Sequence, residues 1–162
     1  MKKLIFTLIL LVGYTYIAIA QVTIVVTSKG SGLSSQTWFT SGSNGSLREV
    51  DIKNHRNDDR YITSAAHTSN GWFLTMSKGV SWTNQSYKQS SQWPDAYVHE
   101  QKEKGYMDTS LASNNSVWLV VTSQGYTNQQ ICAVPWSSLK EWISQWWEKD
   151  YYITSIACQN SL

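Results

Sequence analysis

The chain has 162 residues with 13 basic and 11 acidic side chains, a length at which one domain with a sizeable core is expected. Two of the lysines fall in a removable leader, which leaves 11 basic against 11 acidic residues. A neutral chain has no electrostatic reason to seek nucleic acid or anionic lipid, so neither is expected as a partner.

Residues 1–20 carry the marks of that leader. Lys2-Lys3 precede an apolar run, Leu4–Ala20, which closes on Ala18-Ile19-Ala20 before Gln21. A basic start, an apolar middle and a small-residue ending predict a cleaved secretory signal, hence a secreted or periplasmic product with no membrane segment after cleavage. All nine tryptophans lie beyond it, and most must be buried to keep the product in solution.

A first unit, residues 22–67, begins with Thr23–Thr27, dense in β-branched residues and read as a strand that Gly30 and Gly32 stop. Gln36–Phe39 reads as a second strand. Ser46-Leu47-Arg48-Glu49 has the form of a capping box, predicting a helix to about Asn54, and Tyr61–Ala66 reads as a third strand. The second unit, 68–113, repeats the plan. Trp72–Met76 is apolar enough to be covered on both sides, and Asn84–Lys88 follows as a strand. Trp93-Pro94-Asp95 opens a helix, Gly105 closes it, and Tyr106–Ala112 is the third strand. In the third unit, 114–162, Ser138–Glu141 is again a capping box. Leu139, Trp142, Ile143, Trp146 and Trp147 form one apolar stripe at helical spacing, read as core with Trp147 at its edge, before a last strand at Tyr152–Ala157.

Two motifs repeat in step through these units. Thr-Ser pairs stand at 63–64, 109–110 and 154–155, separations of 46 and 45 residues. VVTSKG (Val25–Gly30), LTMSKG (Leu74–Gly79) and VVTSQG (Val120–Gly125) are spaced by 49 and 46. The expectation is an α+β fold of three β-β-α-β repeats of about 46 residues. Short links predict that strand three of one unit forms an antiparallel hairpin with strand one of the next, and that strands one and two of a unit pair likewise. A pinwheel and a single curved sheet both satisfy this pattern.

Leu74–Lys88, the Trp93-Pro94 helix start, and Gly105–Ala112 and Trp147–Ala157 resemble the repeat of a family without assigned activity. That family occurs in secreted bacterial proteins and in the C-terminal region of plant casein-kinase-like kinases. The likeness spans essentially the whole chain after residue 20. Unit one departs most, with Arg60 where Tyr106 and Tyr151 stand. The kinase portion of the plant proteins has no counterpart here, so the resemblance implies an interaction module rather than phosphotransfer.

Gln36, Gln85 and Gln129 recur at one position in each unit. They are read either as amides offered to a ligand or as buried groups that satisfy backbone. Trp82 and Tyr126 follow the Ser-x-Gly turns beside Asn84-Gln85 and Asn128-Gln129. An aromatic ring next to amides is the arrangement that stacks on a sugar or a peptide side chain. These six residues form the candidate binding site. The Thr-Ser pairs have no repeated His or acid beside them and are read as hydroxyls pairing across strands. His55, His67 and His99 lack metal-ligand spacing, so no metal and no cofactor is expected. Cys132 and Cys158 are a candidate disulfide in an oxidising compartment.

The leading expectation is thus a non-enzymatic module that binds carbohydrate or an extracellular protein. Its rivals are a small secreted hydrolase using Cys132 or Cys158, and a structural protein that self-associates through a sheet edge at Thr23–Thr27.

Overall fold

The computed structural model describes residues 31–41, 46–68, 71–114, 116–125, 127–132 and 134–157. In chain order its elements are β1 (Ser34–Thr40), α1 (Glu49–Arg56), β2 (Tyr61–Thr68), β3 (Gly71–Lys78), β4 (Gln85–Ser90), α2 (Asp95–Glu103), β5 (Met107–Ser113), β6 (Trp118–Ser123) and α3 (Trp136–Trp147). The fold is mixed α+β, with two antiparallel three-stranded sheets ordered β1-β3-β2 and β4-β6-β5.

Composition explains which strand sits in the middle of each sheet. β3 and β6 are apolar along both faces and nearly continuously buried, so each needs a neighbour on either side. β1 and β4 are richer in Ser, Thr, Gln and Lys and take the edges. The expected hairpins β2–β3 and β5–β6 form, with Thr68 opposite Gly71 and Ser113 opposite Trp118. Asn114 shapes the second turn by accepting from the N–H groups of Ser116 and Val117, at 2.7 and 2.8 Å. The expected pairing of strands one and two within a unit does not form: β3 and β4 lie in different sheets, each paired with a strand of another unit. A two-sided apolar strand gains more from a central position than from a hairpin to a polar neighbour.

One core joins the two sheets. Ile52 of α1, Ile62, Trp72, Leu74 and Met76 of the first sheet meet Ala112, Leu119 and Val121 of the second. Burying such a side chain contributes roughly 1.5–3 kcal/mol, so these contacts dominate the packing energy. Two of the three Thr-Ser pairs place a hydroxyl across strands as read: Thr63 Oγ1 lies 3.2 Å from the hydroxyls of Thr75 and Ser77, and Thr109 Oγ1 2.8 Å from Ser123, whereas Ser155 of the third accepts from the Leu111 N–H. Tyr97 fastens α2 to the second sheet through Ser86 and Thr122 at 3.0 and 3.3 Å.

Three local expectations are corrected. The N-cap of α1 is Arg48 rather than Ser46, and α3 starts at Trp136 behind Pro135, ahead of the Ser138 box. Tyr152–Ala157, expected as the last strand, joins no ladder among the described residues. The α3 stripe is only partly buried: Trp142, Ile143 and Trp146 are intermediate, and Trp147 is exposed. Strand Thr23–Thr27 lies outside the described residues.

Gly79 and Gly105 separate two reasons for glycine. Both have φ near +80°, a region that disfavours any Cβ. A Cβ at Gly79 would also collide with the Gly32 carbonyl, whereas Gly105 has open space around it. Gly105→Ala should therefore lower stability by about 1 kcal/mol. Gly79→Ala should cost about twice that or more, because backbone must move as well. Urea denaturation of both variants measures the difference.

Candidate functional site

The Ser-x-Gly turn after β3 and the one after β6 are clamped together. A Cβ at Gly125 would stand 2.7 Å from the Ser81 carbonyl, so only glycine lets the two loops approach so closely. Thr83 N–H donates to the Gln124 carbonyl (3.2 Å), Gln124 N–H to the Asn84 carbonyl (2.9 Å), and Asn84 Nδ2 to Gln124 Oε1 (2.7 Å). Tyr61 hydroxyl reaches the Thr83 carbonyl at 3.0 Å. Trp82 is partly buried here, Thr83 and Asn84 are exposed on the cluster, and Thr127 and Asn128 are exposed at the separate cavity described below. Asn128 adopts a left-handed φ of 59°, which Asn tolerates better than most residues. Tyr126 lies outside the described residues.

The repeated glutamines are engaged elsewhere. Gln85, buried, accepts from the Ile62 N–H (2.8 Å) and donates to the Ile62 carbonyl (3.0 Å) and the Ser123 hydroxyl (3.1 Å). Gln129 does the same to Asp108, accepting from its N–H at 2.6 Å and donating to its carbonyl at 2.5 Å. Gln36 Nε2 donates to the Ser77 hydroxyl at 3.1 Å. Ile62 and Asp108 are the residues at which β2 and β5 slip register against β3 and β6. A bulge strands one residue's backbone groups, and the carboxamide, which offers the same donor and acceptor as a peptide, pairs with them. Of the six sequence-proposed residues, Trp82 and Asn84 therefore lie on the clamped turn, whereas Gln85 and Gln129 are engaged by bulged backbone.

A second feature was not anticipated. A cavity of about 390 Å³ lies between residues 127–134, α3 and residues 150–157, walled by Leu139, Trp142, Ile143 and Trp146. Asp108 lies on its boundary, 8% exposed, and its Oδ1 accepts no hydrogen bond among the described residues. Burial pushes this carboxyl up to about 6, against a smaller downward pull from Lys102. The sequence signal was an acid at the place where the other units carry Ile62 and Ile153. Cys132 is exposed at the cavity, and Cys158 of the candidate disulfide lies outside the described residues. No group of three His, Cys, Asp or Glu side chains suited to a metal ion gathers among the described residues, and no described helix is long and apolar enough to cross a membrane.

The family model described as Domain of unknown function (DUF7477) matches residues 12–137. No curated protein and no solved structure matches the chain.

Gln85→Leu should lower stability by about 3 kcal/mol, since it strands the buried N–H and carbonyl of Ile62. The exposed Asn84→Ala should stay within about 1 kcal/mol in the same urea titration. The raised Asp108 value means that the folded chain keeps a proton the unfolded chain gives up. The resulting stability is fully present below the ordinary carboxylate value and is lost as pH rises from about 4 to about 6. Relative to Asp108→Asn, the unmodified protein should lose on the order of 2 kcal/mol across that window and nothing further above it, as followed by thermal melts at each pH.

Proposed function

The chain belongs to the Domain of unknown function (DUF7477) family, and we propose that it is a secreted, three-repeat, non-enzymatic module that binds carbohydrate or an extracellular protein. The observation that carries this reading is the loop-to-loop clamp. The Ser-x-Gly turns are locked edge to edge by Gly125 on Ser81 and by the Asn84–Gln124 bonds, forming one continuous surface rather than separate loops. Rigid loops lose little entropy when a ligand orders them, which favours binding. The surface carries the partly buried ring of Trp82 next to the exposed side chains of Thr83 and Asn84. That mixture suits a sugar ring, which offers an apolar face for stacking and hydroxyls for amides. Tyr126, which precedes Thr127-Asn128-Gln129 as Trp82 precedes Thr83-Asn84-Gln85, is the second aromatic that the sequence offers.

The leader expected at residues 1–20 would deliver the module outside the cytoplasm, where such ligands occur.

Affinity electrophoresis against a panel of polysaccharides tests the reading. The unmodified protein should be retarded by at least one glycan. Trp82→Ala and Tyr126→Ala, each with unchanged far-UV circular dichroism, should weaken that retardation about tenfold or more, as loss of a stacking ring does. Retardation unaltered in both variants would remove the site assignment. No retardation by any glycan would leave only the protein ligand.

A further inference from the structure

We infer that the cavity beside α3 is the docking site of the chain's own segment Val22–Ser28, which inserts as a strand between residues 129–132 and 152–157. The segment lies outside the described residues and joins the described chain at Ser31. Three independent observations converge on it.

The first is the bonding of the glutamines. Each sheet takes its central strand from the following unit, β3 into the first sheet and β6 into the second. Gln36 bonds Ser77 of β3, Gln85 bonds Ser123 of β6, and the residue of this kind still to be matched with Gln129 is Ser28 of the VTSKG motif. The second is the glycine contacts. Gly79 presses on the carbonyl two residues after Gly30, and Gly125 on the carbonyl two residues after Gly79. The turn left without such a glycine against it is the shorter one from Gly125 to Gln129, whose Thr127 stands at the loop end of the cavity.

The third is the cavity itself. It lies between residues 129–134 and 152–157, the counterparts of edge strands β4 and β5, and these join no ladder among the described residues. Its apolar wall is left open, with Tyr152 78%, Ile156 61% and Ile153 49% exposed. Ile24, Val25 and Val26 correspond to Leu119, Val120 and Val121, which are fully buried in the second sheet. An apolar β-branched run and an apolar gap between two unpaired edges complement each other in shape, hydrogen bonding and chemistry.

The ladders fix the register. Leu74 stands opposite Phe39 and Ala65, and Val120 opposite Lys88 and Leu111. Counting three residues on from Gln129 and from Ile153, as these pairs do from their own Gln, Ile62 and Asp108, sets Val25 opposite Cys132 and Ile156. Side chains directly opposite on an antiparallel pair have Cβ atoms about 5 Å apart, within disulfide reach, whereas those of the next residue point to the other face.

The inference shares the repeat reading with the proposed function but not its ligand, so a failed glycan screen leaves it standing and its own failure leaves the loop surface standing. The test is oxidation of the full chain carrying Val25→Cys with Cys158→Ser, and of a partner variant carrying Val26→Cys instead. Mass spectrometry of the non-reduced protein should find residue 25 bonded to Cys132 within one monomer for the first and no such bond for the second. Bonding between two chains would instead mean strand exchange between copies. No bond at residue 25, or equal bonding at 25 and 26, would mean that something else fills the cavity; either result overturns the inference. Should Val25→Cys not fold, Thr27→Cys with Gln130→Cys in a Cys132→Ser, Cys158→Ser chain probes the same register, since Thr122 stands opposite Ser86.

Discussion

The carboxamide of Gln85 stands in for a peptide unit. It pairs with both backbone groups of Ile62 where β2 bulges, and its remaining N–H reaches Ser123 on β6. One side chain thereby joins the first sheet to the second at a point where the ladder would otherwise leave buried backbone unpaired. Unmade hydrogen bonds of this kind cost about 1–3 kcal/mol each, so the sheets cannot separate or slip without stranding Ile62. Gln129 repeats the arrangement on Asp108, and the Arg56 guanidinium adds a bond from α1 to the Gln85 carbonyl.

The sheets are interdependent for the same reason. Neither β3 nor β6 pairs with the strand that follows it; β3 sits between β1 and β2, and β6 between β4 and β5. Without those neighbours each would expose both faces of an apolar strand. The loop clamp follows from this pairing. Handing β6 to the second sheet brings the turn after it against the turn after β3, and Gly125 meets Ser81 there. Architecture and the proposed binding surface thus have one cause.

Much of this was legible in the residues. Local sequence marked β1 to β5, the stripe Leu139–Trp147 marked α3, and the repeated Ser-x-Gly motif marked turns that touch. Strand partnership was not legible, because a short glycine turn argues for a hairpin whereas β3 needs two neighbours, and only the packed state decides between them. The recurrence of Gln36, Gln85 and Gln129 was visible, but a bulge is a property of register that emerges only when two strands are aligned. Asp108 drew notice as a possible acid for a cysteine hydrolase, but its burial was not legible, since the Gln129 that bonds its backbone lies 21 residues away. Ser46 and Ser138 satisfied a capping pattern that Arg48 and Pro135 displaced, since helix ends are set by the chain's entry angle as well as by the box.

Backbone amide exchange read residue by residue in the unmodified protein tests the central claim most directly, because the N–H groups of Ile62 and Asp108 have side chains rather than strands as partners. If the glutamine clasp holds the sheets together, both amides exchange as slowly as the ladder amides of β3 and β6, opening only with global unfolding. Exchange of Ile62 and Asp108 at the fast rate of exposed loop amides, while β3 and β6 stay protected, would contradict it.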